Sequence, residues 1–283
     1  MQDMLSDLAA IPRRQTSRLY AGRENTLLFK IMNDTFSSEP VTFEWSYAVN
    51  GERIAGETVS MEITPGFGKE HAIAITPTAT DTRREGQLSL RVTQPDAQPY
   101  VETRQVPTLP VVTSLKVDVP VTVFDRTGTV TAYFGSVGLK CEAVDSLGNL
   151  PAHDGLLVIG PDTLREKEAY GQDLLTAASR GMRVIVLEQE TPAGGGNLPV
   201  QLASTAHYGG YAHPQGLGTP VFRDLDRWDL VDWSAGAPAV DKPVYKNVYE
   251  KPASGARSLA HCGPLLPYSA LLEVPCGKGF IVL

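Results

Sequence analysis

No stretch of this sequence is apolar for long enough to cross a bilayer. No cluster of lysine and arginine stands out, and the formal net charge is −7. Nucleic acid and anionic membrane both demand a concentrated basic surface, so neither is an expected partner. Met1 to Arg14 carries early acidic side chains and no long apolar core, which is not the make-up of a secretory leader. Cysteine is scarce: Cys141, Cys262 and Cys276 are an odd number with no C-x-x-C pair. A disulfide framework and a zinc knuckle are therefore not expected; a single Cys262–Cys276 bridge stays open beside the simpler state of buried free thiols. These absences lead us to expect a soluble protein and leave its compartment undetermined.

What is present suffices for two cores. The chain has 283 residues, of which 42% are hydrophobic, an ordinary share for a folded protein. The first half reads as strands. Val41, Phe43, Trp45, Tyr47 and Val49 alternate with Thr42, Glu44, Ser46 and Ala48, the period of a half-buried strand. Asn50-Gly51 follows, a dipeptide suited to a tight hairpin because both residues tolerate positive φ. Leu27/Phe29/Ile31, Met61/Ile63, Ile73/Ile75 and Leu88/Leu90/Val92 mark further strands, separated by Asn33-Asp34, Pro65-Gly66, Pro77 and Pro95-Asp96. Several short strands at this spacing with no helix between them describe a β-sandwich. Residues 107–124, rich in Pro and Val, read as an extended connector.

From Asp125 the period changes. Val130, Phe134 and Val137 share one face of a short helix, and a strand is expected over Cys141 to Val144. Asp154-Gly-Leu-Leu-Val-Ile-Gly160 has the near-continuous apolar run of a central parallel strand. Thr163-x-x-Glu166 has the pattern of a capping box, opening a helix that runs to about Arg180 with Tyr170, Leu174 and Ala178 on one face. Gly181 ends it, and Arg183 to Leu187 is a second buried strand, parallel to the first. Pro192 to Gly196 reads as a loop.

In open α/β sheets, sites form at the carboxyl ends of the strands. Asp162 in Gly160-Pro161-Asp162, and Glu188 and Glu190 in Glu188-Gln189-Glu190, fall there and could act as an acid–base pair. The simpler reading is that they are polar strand exits. Gly194-Gly195-Gly196 lacks the lysine or glycine spacing of a phosphate loop. His207 and His213 have too few companions for a metal site. His261-Cys262 would point to opposite faces of a strand and could not cooperate. Trp228 and Trp233, in Asp226-Arg-Trp-Asp-Leu-Val-Asp-Trp233, could form a stacking platform for a sugar ring; packing over the α/β core is the simpler expectation for both. If Asp229 to Trp233 is a helical turn, Leu230 and Trp233 lie on one side and Asp229 and Asp232 on a wetter one. No catalytic residue, metal or cofactor is assigned.

Leu19 to Val92 resembles the immunoglobulin-like sandwich of glycoside hydrolase family 2 and β-galactosidase-like proteins, through Ala21-Gly22, Ile31-Met-Asn-Asp-Thr35, the Trp45 strand and Leu88-Ser-Leu90. The remainder resembles the glutamine-amidotransferase-like, flavodoxin-like domain that follows such sandwiches in some of these enzymes. The segments that carry this are 154–160, Gly181-Met-Arg-Val-Ile-Val-Leu187, Asp229-Leu-Val-Asp-Trp233 and Leu272-Glu-Val-Pro-Cys-Gly-Lys-Gly-Phe-Ile-Val-Leu283. The resemblance implies an N-terminal extension (1–18), an immunoglobulin-like β-sandwich (19–106), a linker (107–124) and a three-layer α/β domain with a mostly parallel sheet (125–283), cut short at its end. Active amidotransferases carry a nucleophilic cysteine after the strand matching Arg183 to Leu187, where this chain reads Glu188-Gln-Glu-Thr-Pro192 and has none. No (β/α)₈ barrel pattern is present either. The implied role is a non-catalytic accessory region of a larger carbohydrate-active glycoside hydrolase. Its expected partners are the catalytic domain of the parent chain, carbohydrate, or a second copy of the chain. The alternatives are an independent carbohydrate-binding module and a hydrolase or amidotransferase seated in the α/β domain.

Overall fold

The computed structural model describes residues 6–13, 18–150, 154–164, 170–190, 204–223, 225–231 and 244–283. It is mostly β and falls into two compact units that divide between Val111 and Val112.

The first unit contains β1 (Leu8–Pro12), β2 (Leu19–Tyr20), β3 (Asn25–Asn33), β4 (Val41–Val49), β5 (Glu52–Met61), β6 (Phe67–Ile75), β7 (Gly86–Thr93), β8 (Tyr100–Gln105) and β9 (Thr108–Leu109). One antiparallel sheet has the order β1-β3-β6 and the other β5-β4-β7-β8. This is the strand order of an immunoglobulin-like sandwich. Alternation on β3, β4 and β7 sends Phe29, Ile31, Phe43, Trp45, Tyr47, Leu88 and Leu90 into one core. Each fully buried side chain of this size stabilises the unit by about 1.5–3 kcal/mol. Asn50 (φ 50) and Gly51 (φ 84) make the β4–β5 turn in the left-handed conformation that a two-residue hairpin of this twist requires.

Two sequence boundaries shift. Residues 1–18, expected as an extension, supply β1, which pairs with β3 and buries Leu8 and Ala10 in the core. The stretch 107–124, expected as a linker, holds β9, which pairs with β2, and then the first strand of the second unit.

The second unit contains β10 (Val121–Phe124), α1 (Thr129–Ser136), β11 (Glu142–Ala143), β12 (Leu156–Ile159), α2 (Tyr170–Arg180), β13 (Arg183–Val186), β14 (Ser204–Gly209), β15 (Ala212–Pro214), β16 (Tyr245–Glu250), β17 (Arg257–Cys262), β18 (Tyr268–Cys276) and β19 (Gly279–Val282). They form one sheet. Strands β11-β10-β12-β13-β19 are joined by parallel ladders. The order then continues β18-β16-β14, with β17 on β18 and β15 on β17, through antiparallel ladders.

The expectation of a mostly parallel sheet is therefore corrected: half the strands belong to an antiparallel extension. The reason is local. The β17, β18 and β19 segments are joined by short turns that return the chain beside itself, whereas a parallel pair needs a long crossover. Alternation along β10 and β12 feeds both faces of the parallel half. Leu157 and Ile159 pack under α2 with Leu174 and Ala178, and Val123 and Val158 pack under α1 with Val130. Glu166 of the expected capping box and the 192–196 loop lie outside the described residues.

Candidate functional site

The carboxyl ends of β10, β12 and β13 gather Asp125, Asp162 and Glu188-Gln189-Glu190. Asp125 is fixed first. Gly128, at the start of α1, has no side chain to cap the helix, and Asp125 does so instead. Its Oδ2 accepts from the Val130 amide (2.7 Å) and the Thr131 amide (3.4 Å), and its Oδ1 accepts from the Thr127 amide and hydroxyl. A Cβ at Gly160 would collide with this carboxylate, so glycine there opens the room it occupies. Partial burial alone would push the Asp125 carboxyl up. The Thr127 hydroxyl and the three amides outweigh it and hold the group below the ordinary carboxylate range.

A folded-state pKa below the unfolded value means that this stabilisation is present above the unfolded pKa of about 3.9 and lost as pH falls through the folded one. Asp125→Ala is therefore expected to cost about 1–2 kcal/mol near neutral pH. The gap between variant and parent should close in acid below about pH 4. Urea unfolding at several pH values reads this directly, and a gap that widens in acid would contradict it.

The expected acid–base carboxylates are not poised against each other. Asp162 is exposed in a left-handed turn (φ 49), with its amide donating to the Glu188 carbonyl at 3.0 Å. Glu188 is exposed and paired with Lys246 at 2.7 Å. Glu190 is exposed, and the Asn247 side chain donates to its carbonyl at 3.2 Å.

The residue that matters structurally is Gln189, which sequence reasoning passed over. It is 4% exposed. Its Nε2 donates to the Gly160 carbonyl (2.8 Å) and the Leu187 carbonyl (2.6 Å), and its Oε1 accepts from the Leu164 amide (2.8 Å). A neutral glutamine between two carboxylates in sequence was the only available signal. This arrangement ties two strand exits together and offers no nucleophile.

The remaining candidates separate. Cys141, Cys262 and Cys276 are free, so the Cys262–Cys276 bridge is absent. Cys262 is fully buried and His261 half-buried on β17, and burial pushes the Cys262 thiol up to about 11. Burial, Lys251 and His213 hold His261 low. His213 pairs with His261 across β15 and β17. Cys262 should resist iodoacetamide at pH 8 in the folded protein and react once it is unfolded, as read by peptide mass. Fast native-state alkylation would show the thiol to be accessible and activated. Among the described residues no group of three or more His, Cys, Asp or Glu could hold a metal. No helix among them is long and apolar enough to cross a membrane.

Trp228 departs from the expectation that it packs over the core. It lies in a short 3₁₀ turn, Arg227–Leu230, and is 47% exposed, with the Arg227 guanidinium 4.8 Å from its ring centre. Asp226 accepts from the Trp228 amide (3.0 Å), and Asp229 accepts from the Asp226 amide (2.8 Å). This reciprocal cap buries Asp229, which was expected on a wetter side, and turns the indole outward. Trp233 and Asp232 lie outside the described residues.

No protein-family profile matches the chain, and no curated protein does. Among solved structures the chain is similar to a β-glucuronidase from Parabacteroides merdae, with 9% identity and a TM-score of 0.28, over 64% of this chain and 29% of that one. It is similar to a putative β-galactosidase from Bacteroides fragilis, with 7% identity and a TM-score of 0.25, over 64% of this chain and 38% of that one. It is also similar to the CARDB domain of the PF1109 protein from Pyrococcus furiosus, with 16% identity and a TM-score of 0.26, over 37% of this chain and 89% of that domain.

Proposed function

We propose that this chain is a non-catalytic accessory region of a larger carbohydrate-active glycoside hydrolase, its second unit a flavodoxin-like domain of the glutamine-amidotransferase-like kind. One observation carries the non-catalytic part. Where an α/β site would form, the polar groups are spent on structure: the partly buried Asp125 caps α1, and the buried Gln189 ties the exits of β12 and β13. The parallel order β11-β10-β12-β13-β19, following an immunoglobulin-like sandwich, supports the domain reading. The parent's catalytic domain is the partner this role requires, and a second copy of the chain is a further candidate.

The test is enzymatic. The chain alone should turn over neither nitrophenyl glycosides nor glutamine, while the larger protein should hydrolyse a nitrophenyl glycoside. Turnover by the chain alone, abolished by one substitution at Asp162, Glu188 or Glu190, would overturn the proposal.

The exposed Trp228 favours a second reading, a carbohydrate-binding module. Trp228→Ala should lower stability by less than about 1 kcal/mol, because a half-exposed ring contributes little to a core. If the variant also loses affinity for an oligosaccharide that the parent chain retains, the binding-module reading replaces the accessory one.

A further inference from the structure

We infer that the sandwich unit carries a binding site for one neutral sugar ring, in a cleft of about 260 Å³ between the β4–β5 hairpin and the 77–80 segment. The inference rests on the carbohydrate reading above and adds a site and a ligand class.

The cleft is built on fixed backbone. The hairpin turn is tied by the Asn50 amide to the Glu85 carbonyl at 2.9 Å. Arg84 is held by two backbone bonds to Thr108, at 3.0 and 2.9 Å. Pro77 is anchored where its carbonyl accepts from the Gly22 amide at 2.8 Å. Such a cleft needs little ordering when a ligand arrives.

Its chemistry is mixed in a specific way. Ile54, Pro77 and Ala79 give an apolar wall. Thr80 Oγ1 accepts from Arg84 Nε at 3.3 Å, which leaves the two terminal nitrogens of that guanidinium without a protein partner among the described residues. Glu52, Asn50 and Thr78 line the same cleft, and their side-chain polar groups are unengaged among the described residues.

Charge selects the ligand. An anion drawn by Arg84 meets Glu52, and a cation drawn by Glu52 meets Arg84. A neutral molecule with both donors and acceptors satisfies both groups. A sugar ring does so, and sets its C–H face on the apolar wall. The volume lies below the roughly 300–1,000 Å³ of sites for drug-sized ligands, which points to a single ring.

The test titrates the full chain with methyl glucoside, methyl galactoside and methyl mannoside, with acetate as the anionic control, followed by amide NMR shifts. At least one hexoside should perturb residues 49–54, 77–80 and 84 together, and acetate should not. Arg84→Ala and Glu52→Gln should each weaken that binding about tenfold or more. Both positions are exposed, and thermal unfolding checks that the variants fold. Silence from all three hexosides overturns the site whatever the variants do. So does binding of acetate that tightens in Glu52→Gln, which would make this an anion site. Neither result touches the accessory role, which is decided by the separate glycosidase assays.

Discussion

Gly279→Ala is expected to destabilise the second unit by about 3 kcal/mol, at the upper end of the cost of overpacking. A Cβ at this position would meet the Ala178 carbonyl oxygen at 2.6 Å and the Met182 carbonyl carbon at 3.0 Å, with the Met182 carbonyl oxygen closer still. All three are backbone atoms, at the end of α2 and in the turn into β13. A side chain in the way could rotate aside; these atoms can yield only if β19 moves off β13, which breaks a parallel ladder. Gly135 is the matched control. Nothing lies within 4 Å of its added Cβ, and it sits inside α1, so Gly135→Ala should be neutral or stabilising by up to about 1 kcal/mol. Urea unfolding followed by circular dichroism separates the two. Equal midpoints for Gly279→Ala and the parent would show that the packing of α2 on β19 is looser than described.

Gln189→Leu should cost a similar amount, about 3 kcal/mol, from a change that preserves size. Leucine fills the space but returns nothing to the Gly160 and Leu187 carbonyls or to the Leu164 amide. Each buried group left unsatisfied costs about 1–3 kcal/mol, and relaxation recovers part of the sum. Gln189→Glu is the informative partner, because a carboxylate can still accept from the Leu164 amide but has no hydrogen for the two carbonyls. That variant should be destabilised at neutral pH and partly recover in acid, where a protonated carboxyl regains one donor. A pH-independent loss would show that the carbonyl contacts are not what holds Gln189 in place.

The strands of the sandwich were legible where one face is buried and the other wet. β3, β4 and β7 alternate in sequence because they alternate in space, and Asn50-Gly51 announced its turn by the backbone it allows. The long edge strand β5 was legible only at Met61, since most of its residues are exposed on both faces and no period develops. β1 was missed because Leu8 and Ala10 are too short a pattern to stand apart from an unstructured end. In the second unit β12 and β13 were readable as apolar runs between glycines. The antiparallel extension was not, since an irregularity in the β17–β18 register breaks the period: Leu259 and Ala260 are adjacent on β17 and both buried in one cluster.

The candidate site was legible in position, not in role. Sequence placed the polar residues at the right strand ends. It could not show that Lys246 and Asn247, far along the chain, meet Glu188 and the Gln189-Glu190 backbone. Trp228 was misjudged because hydrophobicity argues for burial, whereas the Asp226–Asp229 cap decides which way the turn faces.

The place of β19 in its sheet bears on how the protein is made. β19 lies between β13 and β18, pairing with the first in parallel and the second antiparallel. The sandwich strands all lie between Leu8 and Leu109, so a ribosome releases everything that unit's sheets need early. The second sheet must wait for residue 282. Throughout that interval β13 offers a bare row of amides and carbonyls, beside the apolar side chains of Val184 and Val186, to any extended chain nearby. Slow translation over 187–279 should therefore lower the yield of native second unit before it affects the sandwich.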